Sequence, residues 1–106
     1  METKPLYFVG SSRDDLIGFP VHVRKAAGHE LRQVQNGHMP SDFKPMPGVG
    51  AGAYEIRIHA EGEWRVIYVA KLKDAVYVLH AFQKKTRQTR QEEIELAGRR
   101  YRQVRS

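Results

Sequence analysis

Two arginines flank a glycine-containing turn in the stretch YEIRIHAEGEWRVIY, Tyr54 to Tyr68: Arg57 before it and Arg65 after it. Guanidinium groups bind phosphoryl oxygens bidentately, so a side-by-side pair offers recognition of a phosphate or stabilisation of charge developing on one. Like charges directly opposed on neighbouring strands cost up to ~1 kcal/mol, so the pair calls for a compensating anion. That anion is either a ligand or the nearby carboxylates Glu55 and Glu63, and the residues alone leave both open.

The stretch reads as a hairpin. A three-residue loop Ala60-Glu61-Gly62, with Gly62 at positive φ, pairs Ile58 with Trp64, Ile56 with Val66 and Tyr54 with Tyr68 on one apolar face. The opposite face then carries His59 beside Glu63, Arg57 beside Arg65 and Glu55 beside Ile67. A slip of one residue destroys the apolar pairing, so the pattern selects this register. A two-residue turn at Lys73-Asp74 extends the scheme to a third strand, on which Tyr77, Leu79 and Ala81 are expected on the core face. His80 and Phe82 then project beside Arg65, and Lys84 follows at the same parity.

The candidate catalytic residues are therefore Arg57, Arg65, Glu55, His80, Lys84 and Lys85, with Phe82 as an exposed ring able to stack on a base. His80 reads equally well as a histidine at the edge of the core. His22, His29 and His38 show no ligand spacing such as H-E-x-x-H, and neither a metal nor another cofactor is expected.

Other elements must hold this surface. Leu6 to Val9 is a short apolar strand, and Ser11 or Ser12 before Arg-Asp-Asp-Leu is a helix start with acids in the first turn. Gly18 and Pro20 end that helix and open a second, on which Val23, Ala27, Leu31 and Val34 share a face and Asn36-Gly37 is the stop. His38 to Gly52, HMPSDFKPMPGVGAG, has no periodicity and is expected to be a long functional loop. Its GVGAG is a weak phosphate-loop signal, because no Lys-Ser or Lys-Thr follows and the next segment is a strand. Strands are expected at Ala53 to His59, Glu63 to Ala70 and Ala75 to Phe82. A capping box of Thr89 and Glu92 then opens a helix with Ile94, Ala97, Tyr101 and Val104 on its apolar stripe. The order is β-α-α-β-β-β-α, an α+β single domain covering residues 1–106.

Composition narrows the partners. The 106 residues, 41% of them hydrophobic, suffice for one core. The formal net charge is +6, and Lys84 to Ser106 holds eight Lys or Arg against three Glu, a net of +5, so the rest contributes only +1. Such a tail favours a polyanion such as nucleic acid, or an acidic protein over the same surface, the alternative being a solvated helix face. With no cysteine, disulfides and thiolate chemistry are excluded and a reducing cytoplasm is the expected setting. No apolar run approaches the roughly 18 residues of a membrane span, and the N-terminus lacks a signal-peptide pattern.

The segment AYEIRIHAEGEWRVIYVAKLKDAVYVLHAFQKKTRQTRQEEIELAGRRY, preceded by KPMPGVGAG and SSRDDLIGFP, closely resembles the phage-derived HigB-like branch of the RelE/ParE toxin superfamily. YEIR, WRVIY and LHAFQKKT are its most specific parts. The resemblance implies a RelE-like fold, a mostly antiparallel sheet packed by two N-terminal helices and a C-terminal one. It also implies the toxin of a type II toxin–antitoxin pair, an endoribonuclease that cuts mRNA on the translating ribosome. The implied partner is a helix-turn-helix, HigA-like antitoxin, with operator DNA bound only through the toxin–antitoxin complex. Carried over by motif, Arg57 and Arg65 are the basic positions of the hairpin and Lys84 and Lys85 those after the last strand; Phe82, with Arg87 and Arg90 of the basic stretch, is expected to contact RNA. The RelE branch has a catalytic Tyr in its final segment; Arg87 to Glu93 contains none and Tyr101 lies deep in the helix, which leaves the proton donor open. A ParE-like inhibitor of gyrase, or a catalytically weak antitoxin- or nucleic-acid-binding module, are the other functions that the resemblance allows.

Overall fold

Alternating apolar residues on either side of a glycine turn organise the sheet. The computed structural model describes residues 3–70 and 75–105. Strands β3 (Ala53–His59) and β4 (Glu63–Val69) pair antiparallel with Ile58 opposite Trp64, Ile56 opposite Val66, Tyr54 opposite Tyr68, and Arg57 opposite Arg65, the register that the apolar pattern predicts. The turn places Glu61 at φ 52 and Gly62 at φ 115. Glycine meets the second angle without strain. Glu61 also contacts His22, and the Trp64 indole N–H donates to Ala60 O at 3.0 Å, tying the turn to its strand.

The full order is β1 (Leu6–Phe8), α1 (Ser12–Ile17), α2 (Val21–Gln35), β2 (Phe43–Pro45), β3, β4, β5 (Val76–Lys84) and α3 (Gln91–Arg105). The strands lie in the spatial order β1-β5-β4-β3-β2, antiparallel except for the parallel β1–β5 pair. One strand is added to the expected order. Within the segment expected to be loop, Phe43 to Pro45 pairs with Ile56 to Tyr54 and forms the sheet edge. A proline is tolerated there because an edge strand has one side without ladder bonds. Phe43 packs edge-on against Tyr54, ring centroids 5.6 Å apart.

Helices cover both faces. Val23, Ala27, Leu31 and Val34 of α2 are buried with Leu16 and Phe19 against Ile56, Ile58, Trp64, Val66 and Tyr68. The opposite face packs Ala53, Ile67 and Val69 against Ala97 and Tyr101 of α3. Gly50 permits that second layer: a Cβ there would lie 2.4 Å from the Tyr101 ring. The Tyr101 hydroxyl donates to Ala51 O at 2.9 Å.

A β-bulge corrects the expected third strand. Arg65 faces Phe82, Val66 faces Ala81 and Ile67 faces His80, but Tyr68 then faces Val78, leaving Leu79 as the inserted residue. The insertion reverses parity. Ala81, Val78 and Val76 reach the α2 side, whereas Tyr77 and Leu79, expected beside Ala81, join the α3 layer instead. The Leu79 carbonyl freed by the bulge accepts from Arg100 of α3 at 2.9 Å. The turn expected at Lys73-Asp74 lies outside the described residues.

The expected caps also differ. Ser11 is the N-cap of α1, but its hydroxyl donates to Asp15 at 2.8 Å rather than capping the backbone, and Ser12 donates to Val78 O. Thr89 caps nothing. Its hydroxyl donates to Glu55 Oε2 at 2.9 Å, and α3 opens one residue later, with Arg90 O accepting from the N–H groups of Glu93 and Ile94. The hydroxyl is held by donating to a buried carboxylate, a charge-assisted bond stronger than one between neutral groups.

Candidate phosphate-binding groove

The α3 layer covers Ala53, Ile67 and Val69 and stops short of the hairpin end of the same face. The uncovered part is a groove of about 450 Å³, lined by Lys44 of β2, Glu55 and Arg57 of β3, Arg65 of β4, Lys84 of β5 and Arg87, Gln88 and Thr89 of the segment leading into α3. That is space for a nucleotide-sized group. Four strands and one connection each contribute a cation or the central carboxylate.

Inside the groove the two arginines are opposed and differently held. Arg65 is 3% exposed: one terminal nitrogen donates to Trp64 O at 2.9 Å, the other to Glu63 at 3.0 Å, and Nε stands 3.5 Å from Glu55. Glu55, 2% exposed, accepts from Thr89. Arg57 stays half-open to solvent, its Nε 3.7 Å from Asp42. The anion that offsets their repulsion is thus supplied by the protein itself, Arg65 by the carboxylates expected from the sequence and Arg57 by Asp42. Burying charges is tolerable only when they are paired and hydrogen-bonded, which fixes Arg65 and Glu55 in place.

Asp42 and Glu63 are joined through His59. The His59 Nε2 lies 2.6 Å from Asp42 and Nδ1 2.8 Å from Glu63. A neutral imidazole has one donor only, so two carboxylate partners select the doubly protonated ring. The hydrogen bonds to Glu63 and then Asp42 accordingly raise the His59 pKa. The same bond from His59, with a further one from Arg65, lowers that of Glu63.

The remaining sequence candidates divide. Lys84 lines the groove and donates to Arg87 O at 2.7 Å, which fixes the turn after β5. Lys85 and Arg90 line a neighbouring cleft of about 80 Å³, room for water only. Phe82 borders that cleft and stacks on His80, centroids 4.7 Å apart. His80 is buried and does not line the groove; its Nε2 is 2.8 Å from Glu93 of α3. Its Nδ1 has no hydrogen-bond partner among the described residues. Among those residues no group of three or more His, Cys, Asp or Glu is arranged to hold a metal ion.

Sequence reasoning missed Lys44, Asp42 and Thr89. Asp42 reaches the site because its carbonyl accepts from Arg57 N–H at 2.9 Å, continuing the β2–β3 ladder by one residue. No periodic signal marks so short a strand.

Residues 14–102 match the family model described as phage derived protein Gp49-like (DUF891). No curated protein matches the sequence. The structure is similar to that of the E. coli toxin RelE, determined in the free state as a mutant with two arginines replaced by alanine. The TM-score is 0.62 over 97% of this chain and 99% of that one, at 14% identity, a likeness of fold. The family match runs from α1 into the last turns of α3, and the chain belongs to the phage-derived Gp49-like family.

Proposed function

We propose that this protein is the toxin of a type II toxin–antitoxin pair, of the HigB-like kind, and that it is an endoribonuclease cutting mRNA on the translating ribosome. The observation that carries the reading is the groove, where Arg57, Arg65, Lys84, Arg87 and Lys44 converge around one buried carboxylate. The RelE-like fold and the phage-derived family agree with it.

In the proposed reaction the 2′-oxygen attacks the adjacent phosphorus and the bond to the 5′-oxygen breaks, leaving a 2′,3′-cyclic phosphate and a 5′-hydroxyl. Glu55 takes the 2′-hydroxyl proton; it is assigned over His80 because it lines the groove. Arg57 and Arg65 neutralise charge on the phosphorane, and Lys84 gives a proton to the leaving oxygen. This chemistry requires no water-activating metal. Arg87, and Lys85, Arg90 and Phe82 beside the groove, hold flanking nucleotides. His80 sets the start of α3 through Glu93. The partner is a helix-turn-helix, HigA-like antitoxin, operator DNA is bound through the complex, and the site of action is the cytoplasm.

Expression without antitoxin, with mapping of transcript ends, tests the reading. Growth arrest with new ends inside translated frames is expected, lost in Arg57→Ala and in Glu55→Gln while the fold persists by circular dichroism. Arrest with intact transcripts and impaired supercoiling overturns it in favour of a gyrase inhibitor.

A further inference from the structure

The chain of charges Arg57, Asp42, His59, Glu63, Arg65 alternates in sign and places a histidine between the two carboxylates that hold the two arginines. Each carboxylate is divided. Asp42 gives Oδ2 to His59 at 2.6 Å and leaves Oδ1 3.7 Å from Arg57. Glu63 serves His59 at 2.8 Å and Arg65 at 3.0 Å. A carboxylate held by one cation is weakened as an acceptor for the next, so the protonated imidazole competes with both guanidinium groups for their counter-ions.

We propose that His59 is a positioning residue, a proton-controlled latch on the arginine pair. Protonated, it draws Asp42 and Glu63 towards itself and loosens their hold on Arg57, which is half-open to a phosphodiester, and on the buried Arg65 behind it. Deprotonated, the ring keeps one N–H for a single carboxylate and loses its charge, so the carboxylates shift towards the arginines and the hairpin end loses one positive charge as well. Both consequences weaken binding of a polyanion, so they act in the same direction. By linkage, RNA binding in turn favours proton uptake at His59.

Other charged groups stand near the latch, among them Glu30 of α2, which accepts from Ser41 beside Asp42. Lys84 of β5 stands opposite Glu63 in the ladder, and Lys44 of β2 stands opposite Glu55. Glu61 in the turn is engaged by His22. Glu55 is enclosed by Arg65 and Thr89. His59 itself is 48% exposed, so it exchanges protons with solvent without opening of the fold.

The proposal rests on the ribonuclease reading, and its test separates the two. The first measurement is affinity for a short single-stranded RNA carrying 2′-methoxy groups, which cannot be cut, from about pH 5 to about pH 8, the interval over which histidine changes charge. Wild type is expected to lose affinity several-fold across it. His59→Gln should be weak and flat, and His59→Lys, cationic throughout, strong and flat. An unchanged pH profile in His59→Gln overturns the latch. The second measurement uses no RNA: the Nε–H resonances of Arg57 and Arg65 followed by NMR against pH. They are expected to share an inflection with His59 that His59→Gln abolishes. Absence of that inflection overturns the latch whatever the protein does to RNA. A shared inflection without RNA binding at any pH sustains the latch and sinks the ribonuclease reading.

Discussion

At the scale of single residues, burial separates two arginines that look equivalent along the chain. Removing Arg65 strands Glu55 as a buried, half-paired anion, and breaking a buried pair in this way costs about 3–5 kcal/mol. Arg57 is half-exposed with a long contact to Asp42, so Arg57→Ala should stay within about 0.5 kcal/mol of wild type. Urea denaturation of the two variants measures the contrast, and equal midpoints would contradict it. The network around His59 adds a pH dependence. The lowered Glu63 pKa contributes stability above the ordinary carboxylate range that is lost as pH falls through its folded value. The raised His59 pKa contributes stability that is complete below its ordinary value near 6.5 and is lost as pH rises through the higher folded value. The contribution is therefore largest between these two titrations. A urea midpoint measured against pH should fall on the alkaline side in wild type and flatten in His59→Gln.

At the scale of elements, local periodicity decides what each segment is, and distant partners decide its details. The apolar stripe of α2 is readable in the sequence and is the buried stripe in the fold, so Leu31→Ala should cost about 2–5 kcal/mol. Thr89 is the reverse case. Its spacing from Glu92 is that of a cap, yet its hydroxyl serves Glu55, on a strand 34 residues away in sequence. Thr89→Val should leave Glu55 one hydrogen bond short, at about 1–3 kcal/mol, and should depress RNA cleavage with α3 intact by circular dichroism. A variant with unchanged stability and activity would remove Thr89 from the site. The bulge at Leu79 was likewise invisible, because Tyr77, Leu79 and Ala81 alternate faultlessly and only the two helix layers show that the strand must change faces.

At the scale of the whole molecule, the basic end of the chain supplies part of the groove's charge. Of the net +6, +5 belongs to the stretch from Lys84 onward, which delivers Lys84 and Arg87 to the groove beside Lys44, Arg57 and Arg65 of the sheet. Affinity for single-stranded RNA should therefore fall with salt, with a logarithmic slope of about −0.7 per phosphate neutralised. Arg57→Ala should make that slope shallower by about 0.7, whereas Arg99→Ala on α3, outside the groove, should leave it unchanged. Equal slopes for all three proteins would place the RNA elsewhere.

The sequence by itself determined the hairpin register, the glycine turn, the buried face of α2 and the opposition of Arg57 to Arg65. These follow from repeats of two and of 3.6 residues, which a chain carries locally. Only the tertiary structure decided that Asp42 reaches Arg57 and His59, that Thr89 serves Glu55, that His80 turns to Glu93 and that Leu79 is a bulge. Each of these joins side chains from different strands and helices, and such pairings are chosen by which charges and hydroxyls meet once the layers close, a choice that no local period records.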